Sequence, residues 1–184
     1  MEGSDDHILE AVVGVVNRYG IKRTTMDELS RSAGVSRQTL YDRYGDKDGV
    51  MAAAIEMLAL RLEEGLRAAF AERQALSEKI DAYYEIAVWP IYEVLASMPD
   101  AADLERGLGP RSSRASLEAA VRKQALLAEV FAEHLNGTEQ SPQAVGAFFE
   151  QSSSRAKMSG LPREELEQFL AVLKASTLAL VGAQ

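Results

Sequence analysis

The sequence contains no cysteine, which excludes disulfides, thiolate nucleophiles and cysteine-ligated zinc and suits a reducing compartment. Histidine occurs only at His7 and His134, and neither falls in a triad or metal-ligand pattern. Proline is scarce, with 5 in 184 residues, and glycines fall mainly at segment ends. Strand-like alternation is missing, so the chain reads as all-α. No uninterrupted apolar stretch approaches the roughly 20 residues of a membrane helix, and no charged n-region leads into an apolar h-region. A cytoplasmic protein without signal peptide, membrane span, metal or cofactor is expected. Catalysis is not expected either: there is no Gly-rich phosphate loop, and Ser152, Ser153 and Ser154 lack a partnered base.

What is present is unevenly charged. The net charge is −8, yet Arg18 to Lys47 holds seven basic residues against four acidic ones, a local +3. From Met51 to Gln184 the balance is −6. A modest basic patch therefore sits on an acidic body, a local electrostatic footprint of the kind nucleic acid attracts.

Helical spacing of Ile8, Val12, Val15 and Tyr19 predicts a helix from Asp6 to Tyr19, stopped by Gly20. Thr25-Met26-Asp27-Glu28 forms a capping box that opens a short helix, Met26 to Ala33, ended by Gly34. Ser36 is the N-cap of another short helix reaching Arg43. Asp46 caps a long helix from Lys47 to about Arg73. A fifth helix is expected from Ser77 to Ser97, kinked where Pro90 deprives the Ile86 carbonyl of its partner, with Met98-Pro99-Asp100 ending it. After a loop through Gly107, Gly109 and Pro110 come helices from Ser113 to Leu135, stopped by Asn136-Gly137, and from Ser141-Pro142 to Met158. The last starts at Pro162 and ends near Val181.

Two short helices joined by a tight, glycine-containing turn are helix-turn-helix geometry. Met26, Leu29, Ala33, Leu40 and Tyr44 take the inward positions by period and Val35 lies in the turn, which leaves Arg37, Gln38, Tyr41 and Asp42 outward. At the start of a recognition helix, arginine bonds guanine O6 and N7, and glutamine pairs with adenine N6 and N7. Thr24, Thr25, Thr39, Tyr41 and Arg43 have donor chemistry for phosphate oxygens, Lys47 is placed to grip one, and Ser36 completes the DNA-facing set. The N-terminus of the helix beginning at Met26 adds backbone N–H groups and a favourable dipole.

The stretch TTMDELSRSAGVSRQTLYDRYGDKDGV closely resembles the N-terminal domain of the tetracycline-repressor (TetR) family. It carries Thr25, Ala33-Gly34-Val35-Ser36, Thr39-Leu40-Tyr41, Tyr44 and Lys47 in the family's register. Two positions depart from the pattern: Tyr44 stands where phenylalanine is common, and Asp42 is a carboxylate near the phosphates. The resemblance implies that Thr25, Thr39, Tyr41 and Lys47 hold the DNA backbone while Arg37 and Gln38 select sequence. It also implies a ligand-responsive repressor that binds a pseudo-palindromic double-stranded DNA operator as a homodimer. Residues 1–46 would be the helix-turn-helix domain and residues 47–184 a helical ligand-sensing and dimerisation domain. The lactose-repressor family shares the turn but begins with it and continues into an α/β domain, which this chain does not. A helical interaction module that lost DNA binding would not need Arg37, Thr39, Tyr41 and Lys47.

By the same resemblance the final two helices pair with those of a second subunit. Phe148, Phe149, Leu166, Phe169, Leu170 and Leu173 supply apolar surface for that pairing, or else form monomer core. Tyr83, Tyr84, Trp89 and Tyr92 around Pro90, with Phe131 and His134, either line an apolar cavity for an unidentified small-molecule effector or are plain core. No ionised residue is expected inside, so a charged ligand is not indicated.

Overall fold

A computed structural model describes residues 2–98, 106–135 and 139–182, the side chains of residues 2–4 excepted. The described residues are all-helical. The helices are α1 (Glu2–Tyr19), α2 (Met26–Ala33), α3 (Arg37–Tyr44), α4 (Lys47–Ala71), α5 (Leu76–Tyr83), α6 (Trp89–Ser97), α7 (Pro110–Ala132), α8 (Pro142–Met158) and α9 (Arg163–Val181), with a π-helical turn at Tyr84–Val88 between α5 and α6. The expected stops at Pro99-Asp100 and Asn136-Gly137 lie outside the described residues.

The chain divides into two units, residues 1–60 with 94–119, and residues 61–93 with 120–184. Both α4 and α7 contribute to each. In the first unit Ile8, Val12, Leu29, Leu40 and Val50 are fully buried, with Val35 and Tyr44 packed against that core. Thr25 caps α2 in a complete capping box with Glu28. The Thr25 backbone N–H and hydroxyl both bond the Glu28 carboxylate, at 2.8 and 2.9 Å, and hold its pKa below the usual range. Gly34, at φ 65°, provides the left-handed C-cap that a β-carbon would disfavour. Ser36 then caps α3 through the Thr39 N–H at 3.0 Å, and Asp46 accepts from the Gly49 N–H at 2.9 Å at the start of α4.

Several expectations need correction. Helix α1 starts at Glu2 rather than Asp6, and of its spaced apolar residues Ile8, Val12 and Val15 are buried while Tyr19 is 47% exposed. Pro90 does not interrupt its helix where the missing N–H falls. The chain widens one turn earlier, the Trp89 N–H reaching back to the Tyr84 carbonyl. A wide turn draws the preceding backbone away from the proline ring, which in a regular helix would clash with the carbonyl four residues back. Helix α7 begins at Pro110, three residues before the expected Ser113, because its cap comes from a distant residue, Asp48.

The second unit buries Leu66, Tyr83, Val88, Phe131, Val145, Phe149 and Leu166. Its interior also holds charge, contrary to the expectation from sequence. Along one face of α8, Glu150, Ser153 and Lys157 are 3%, 0% and 5% exposed. Glu150 pairs with Lys123 at 2.8 Å and accepts from Ser154 and Gln124. The Lys157 ammonium donates to the Ala87 carbonyl in the π-helical turn at 2.8 Å. Burial first, then the Lys123 charge, push the Lys157 pKa down to about 7, with Glu150 opposing. These charges escape a sequence reading because Glu150, Ser153, Ser154 and Lys157 look like one polar, solvent-facing stripe of a helix.

Folding thus favours the neutral Lys157 amine. The penalty on stability is fully present below pH 7 and fades as pH rises toward the unfolded value near 10.5. From a shift of that size it is of order 3–5 kcal/mol. Lys157→Met is therefore expected to raise stability at pH 6 by a few kcal/mol, with the gain shrinking by pH 9.5. Urea unfolding of both proteins at the two pH values measures this, and a gain independent of pH would contradict the burial argument.

Candidate nucleic-acid interface

Helix α3 is eight residues long and buries only Leu40 fully. Tethering by that side chain leaves Arg37, Gln38, Tyr41, Asp42 and Arg43 exposed, on the opening turns of a helix whose N-terminus follows the tight turn at Gly34. The Arg37 guanidinium pairs with Asp27 of α2 at 2.9 Å and lies 6.0 Å from the Tyr41 ring centroid. Gln38 donates to Asp42 at 2.6 Å. Both expected base readers are therefore oriented by carboxylates, Arg37 by Asp27 of the neighbouring helix and Gln38 by Asp42 one turn along α3, and Asp42 points along its own helix. Such exposed pairs are weak, so they orient a side chain without locking it away from a stronger partner.

Around this stripe, Thr25 and Ser36 stand exposed at the N-termini of α2 and α3, and the Thr39 hydroxyl is 2.8 Å from that of Ser36. Arg43 pairs with Asp5 of α1. Lys47 is half-buried, and its ammonium donates to the carbonyls of Ile21 and Thr24 at 3.1 and 3.2 Å. Those two bonds tie the start of α4 to the α1–α2 connection and leave one of three ammonium protons over. Thr24 does not join the group. Its side chain is 1% exposed and its hydroxyl donates to the Gly20 carbonyl at 2.7 Å, so it shapes the turn before α2 from inside.

Residues 8–54 match the family model described as bacterial regulatory proteins, tetR family. Over 60 residues the chain is 42% identical to an uncharacterized HTH-type transcriptional regulator of Mycobacterium tuberculosis, covering 33% of this chain and 30% of that one. The chain thus spans under a third of the length of the curated relatives it matches. A TetR-family transcriptional regulator from Pectobacterium atrosepticum is similar along the whole fold, with TM-score 0.62, 26% identity and coverage of 98% of this chain and 93% of that one. The chain thus resembles the tetR family over residues 8–54. Its fold also resembles the reduced form of NemR from Escherichia coli, at TM-score 0.75 and 17% identity over 94% and 96% of the two chains. The family and these relatives are regulators, not enzymes.

Beyond the tetR-type head, the other expected site residues separate by burial. Tyr84 and Phe131 are core: the Tyr84 ring stacks on Phe149 with its hydroxyl on the Leu170 carbonyl, and Phe131 meets Phe149 edge-on at 5.6 Å. Trp89 is covered by the Arg163 guanidinium at 4.8 Å, and Tyr92 donates to the Leu161 carbonyl. A groove of about 440 Å³ lies elsewhere, lined by Glu72, Arg73, Glu78, Asp81, Ala82 and Glu85. Of the six residues expected at a subunit interface, Phe149, Leu166, Leu170 and Leu173 are core of one chain. Phe148 and Phe169 remain outside, at 51% and 41% exposure, and Val172 and Leu180 on α9 are exposed with them. Helical period alone did not separate Phe148 from Phe149, since either can face inward until the neighbouring helices are placed.

Tyr44, the aromatic departure from the family pattern, has a buried hydroxyl that makes no well-formed hydrogen bond among the described residues, with the Arg43 side chain nearby. Desolvation first, then the nearby Asp5 charge, raise its pKa. Removing a poorly bonded buried hydroxyl without changing shape is neutral to favourable. Tyr44→Phe should leave stability unchanged or raise it by up to about 1 kcal/mol in thermal unfolding. A clear loss would mean that the hydroxyl is satisfied after all.

Proposed function

We propose that the protein is a DNA-binding transcriptional regulator, and more specifically a ligand-responsive repressor that occupies a pseudo-palindromic operator as a homodimer in the cytoplasm. The observation that carries this reading is the exposed stripe of Arg37, Gln38 and Tyr41 on the opening turns of a helix held in place by Leu40. Its supports are the match of residues 8–54 to a regulatory family and the local positive charge of the stretch from Arg18 to Lys47 on an otherwise acidic chain. In this reading α3 enters the major groove, with Arg37 and Gln38 on base edges. Thr25, Ser36, Thr39, Tyr41, Arg43 and Lys47 hold phosphates.

Functionally, residues 1–46 read DNA and residues 47–184 sense an effector and dimerise. Dimerisation is supported by the exposed apolar side chains on α8 and α9, helices that pack together within one chain. Pairing them with a second copy would remove Phe148, Phe169 and Val172 from water and set two heads against successive grooves. An effector that fits better when the heads are displaced would then shift the population away from the DNA-competent spacing. The acidic body opposes non-specific binding, so affinity depends on a matched site.

Fluorescence anisotropy against duplex DNA from the gene's own upstream region, at two salt concentrations, tests the DNA reading. Salt-sensitive binding is expected. Lys47→Ala should weaken it on every sequence, whereas Arg37→Ala should cost about 1–3 kcal/mol and relax preference at one base position. Flat titrations on that DNA and on a random duplex library would overturn the function. Separately, Val172→Asp should shift sedimentation from dimer to monomer. A monomeric parent chain would remove the dimer from the proposal.

A further inference from the structure

We propose that Arg111 and Asp48 are positioning residues for DNA reading: through them, the first turn of α7 fixes the C-terminal end of α3 and the start of α4. The inference rests on the DNA-reading role of α3 given above. It starts from a helix that caps itself only in part, the Ser112 hydroxyl accepting from the Gly109 N–H at 2.9 Å. Gly109 precedes α7 and has no side chain, and Pro110 has no N–H. The orphan donors of that first turn are met by Asp48 of α4, which accepts from the Arg111 N–H at 2.8 Å, the Ser112 N–H at 3.1 Å and the Ser112 hydroxyl. Ser112 is fully buried. Desolvation would raise the Asp48 pKa, but the bonds from Ser112 and Arg111 outweigh it and hold the carboxylate below its usual range.

Arg111 completes the connection in the other direction. Its guanidinium donates to the backbone carbonyl of Tyr44, the last residue of α3, at 3.2 Å and pairs with Asp46, the residue that caps α4. One side chain of α7 therefore holds both the end of the reading helix and the turn that delivers Lys47. Two glycines permit the approach. A β-carbon on Gly109 would sit 2.5 Å from the Asp48 carboxyl carbon, and one on Gly49 would sit 2.7 Å from the Arg111 guanidinium. All of these residues lie within the first unit, so by packing the start of α7 belongs with the DNA-reading helices, some sixty residues away in sequence.

The test uses the full chain and three variants: Arg111→Ala, Arg111→Lys and Gly109→Ala. Loss of a positive charge could by itself weaken DNA binding. Gly109→Ala removes that objection, because it changes no charge and only drives a methyl group into Asp48. Affinity for upstream-region duplex should fall at least tenfold in Arg111→Ala and Gly109→Ala, with Arg111→Lys between them and the parent. Amide hydrogen exchange, read without DNA, should show lost protection across residues 37–44 and unchanged protection in α9. Affinities within twofold of the parent, or α3 protection unchanged in Gly109→Ala, would overturn the proposal. Should the parent bind neither upstream nor library DNA, the DNA reading falls on its own. Exchange then decides the positioning: protection lost in α3 upholds it, and protection retained overturns it.

Discussion

Leu40 is the only fully buried side chain of α3, and the reading surface depends on that attachment. An isolated helix of eight residues is far below the roughly 12–15 at which helices become even marginal in water. The exposed pairs it makes to its neighbours, Arg37 with Asp27 and Arg43 with Asp5, add little to hold it. Burying one leucine contributes about 1.5–3 kcal/mol, and the Ser36 cap adds about 1. The head core of Ile8, Val12, Leu29 and Val50 exists in part to receive Leu40. With the inner face settled so economically, the outer face is free to be chosen for recognition alone. Arg37 and Gln38 contribute little to folding, since their pairs with Asp27 and Asp42 are exposed and weak, which is what a residue selected for base preference requires.

The same economy explains which features could be read from the chain in advance. The capping box at Thr25 and Glu28, the left-handed glycine at 34 and the Ser36 cap are interactions across three or four residues, so their partners lie in plain sight. The DNA-facing stripe followed by subtracting the inward positions. Interactions that close over long separations were hidden. Helix α7 starts at Pro110 because of a carboxylate more than sixty residues earlier, and no local pattern announces that. Thr24 looked like a phosphate donor because its chemistry fits, yet its hydroxyl is spent on Gly20. Phe148 and Phe149 are adjacent, and packing alone sends one outward and the other to the centre of the core.

The second unit is less apolar inside than its composition suggests. Lys157 and Glu150 lie on the inner face of α8 without forming a direct ion pair with each other. Lys157 instead leans on a carbonyl of the π-helical turn, and Glu150 is held by Lys123, Ser154 and Gln124. Such an interior gives up stability that a hydrocarbon core would keep. It also means that the apolar contacts around Phe149 stand next to a polar seam rather than filling the unit, so a purely oily picture of this domain is wrong.

The carboxylate of Asp48 has a consequence for recombination between related regulators. A hybrid joined at residue 46 would take its reading helix from one parent and the first turn of α4, with the whole of α7, from another. The guanidinium of Arg111 would then meet a foreign helix end, and the fit permitted by Gly49 and Gly109 would be left to chance. In this chain the head packs with the start of α7, so a unit that keeps these contacts is discontinuous in the gene although it is contiguous in space.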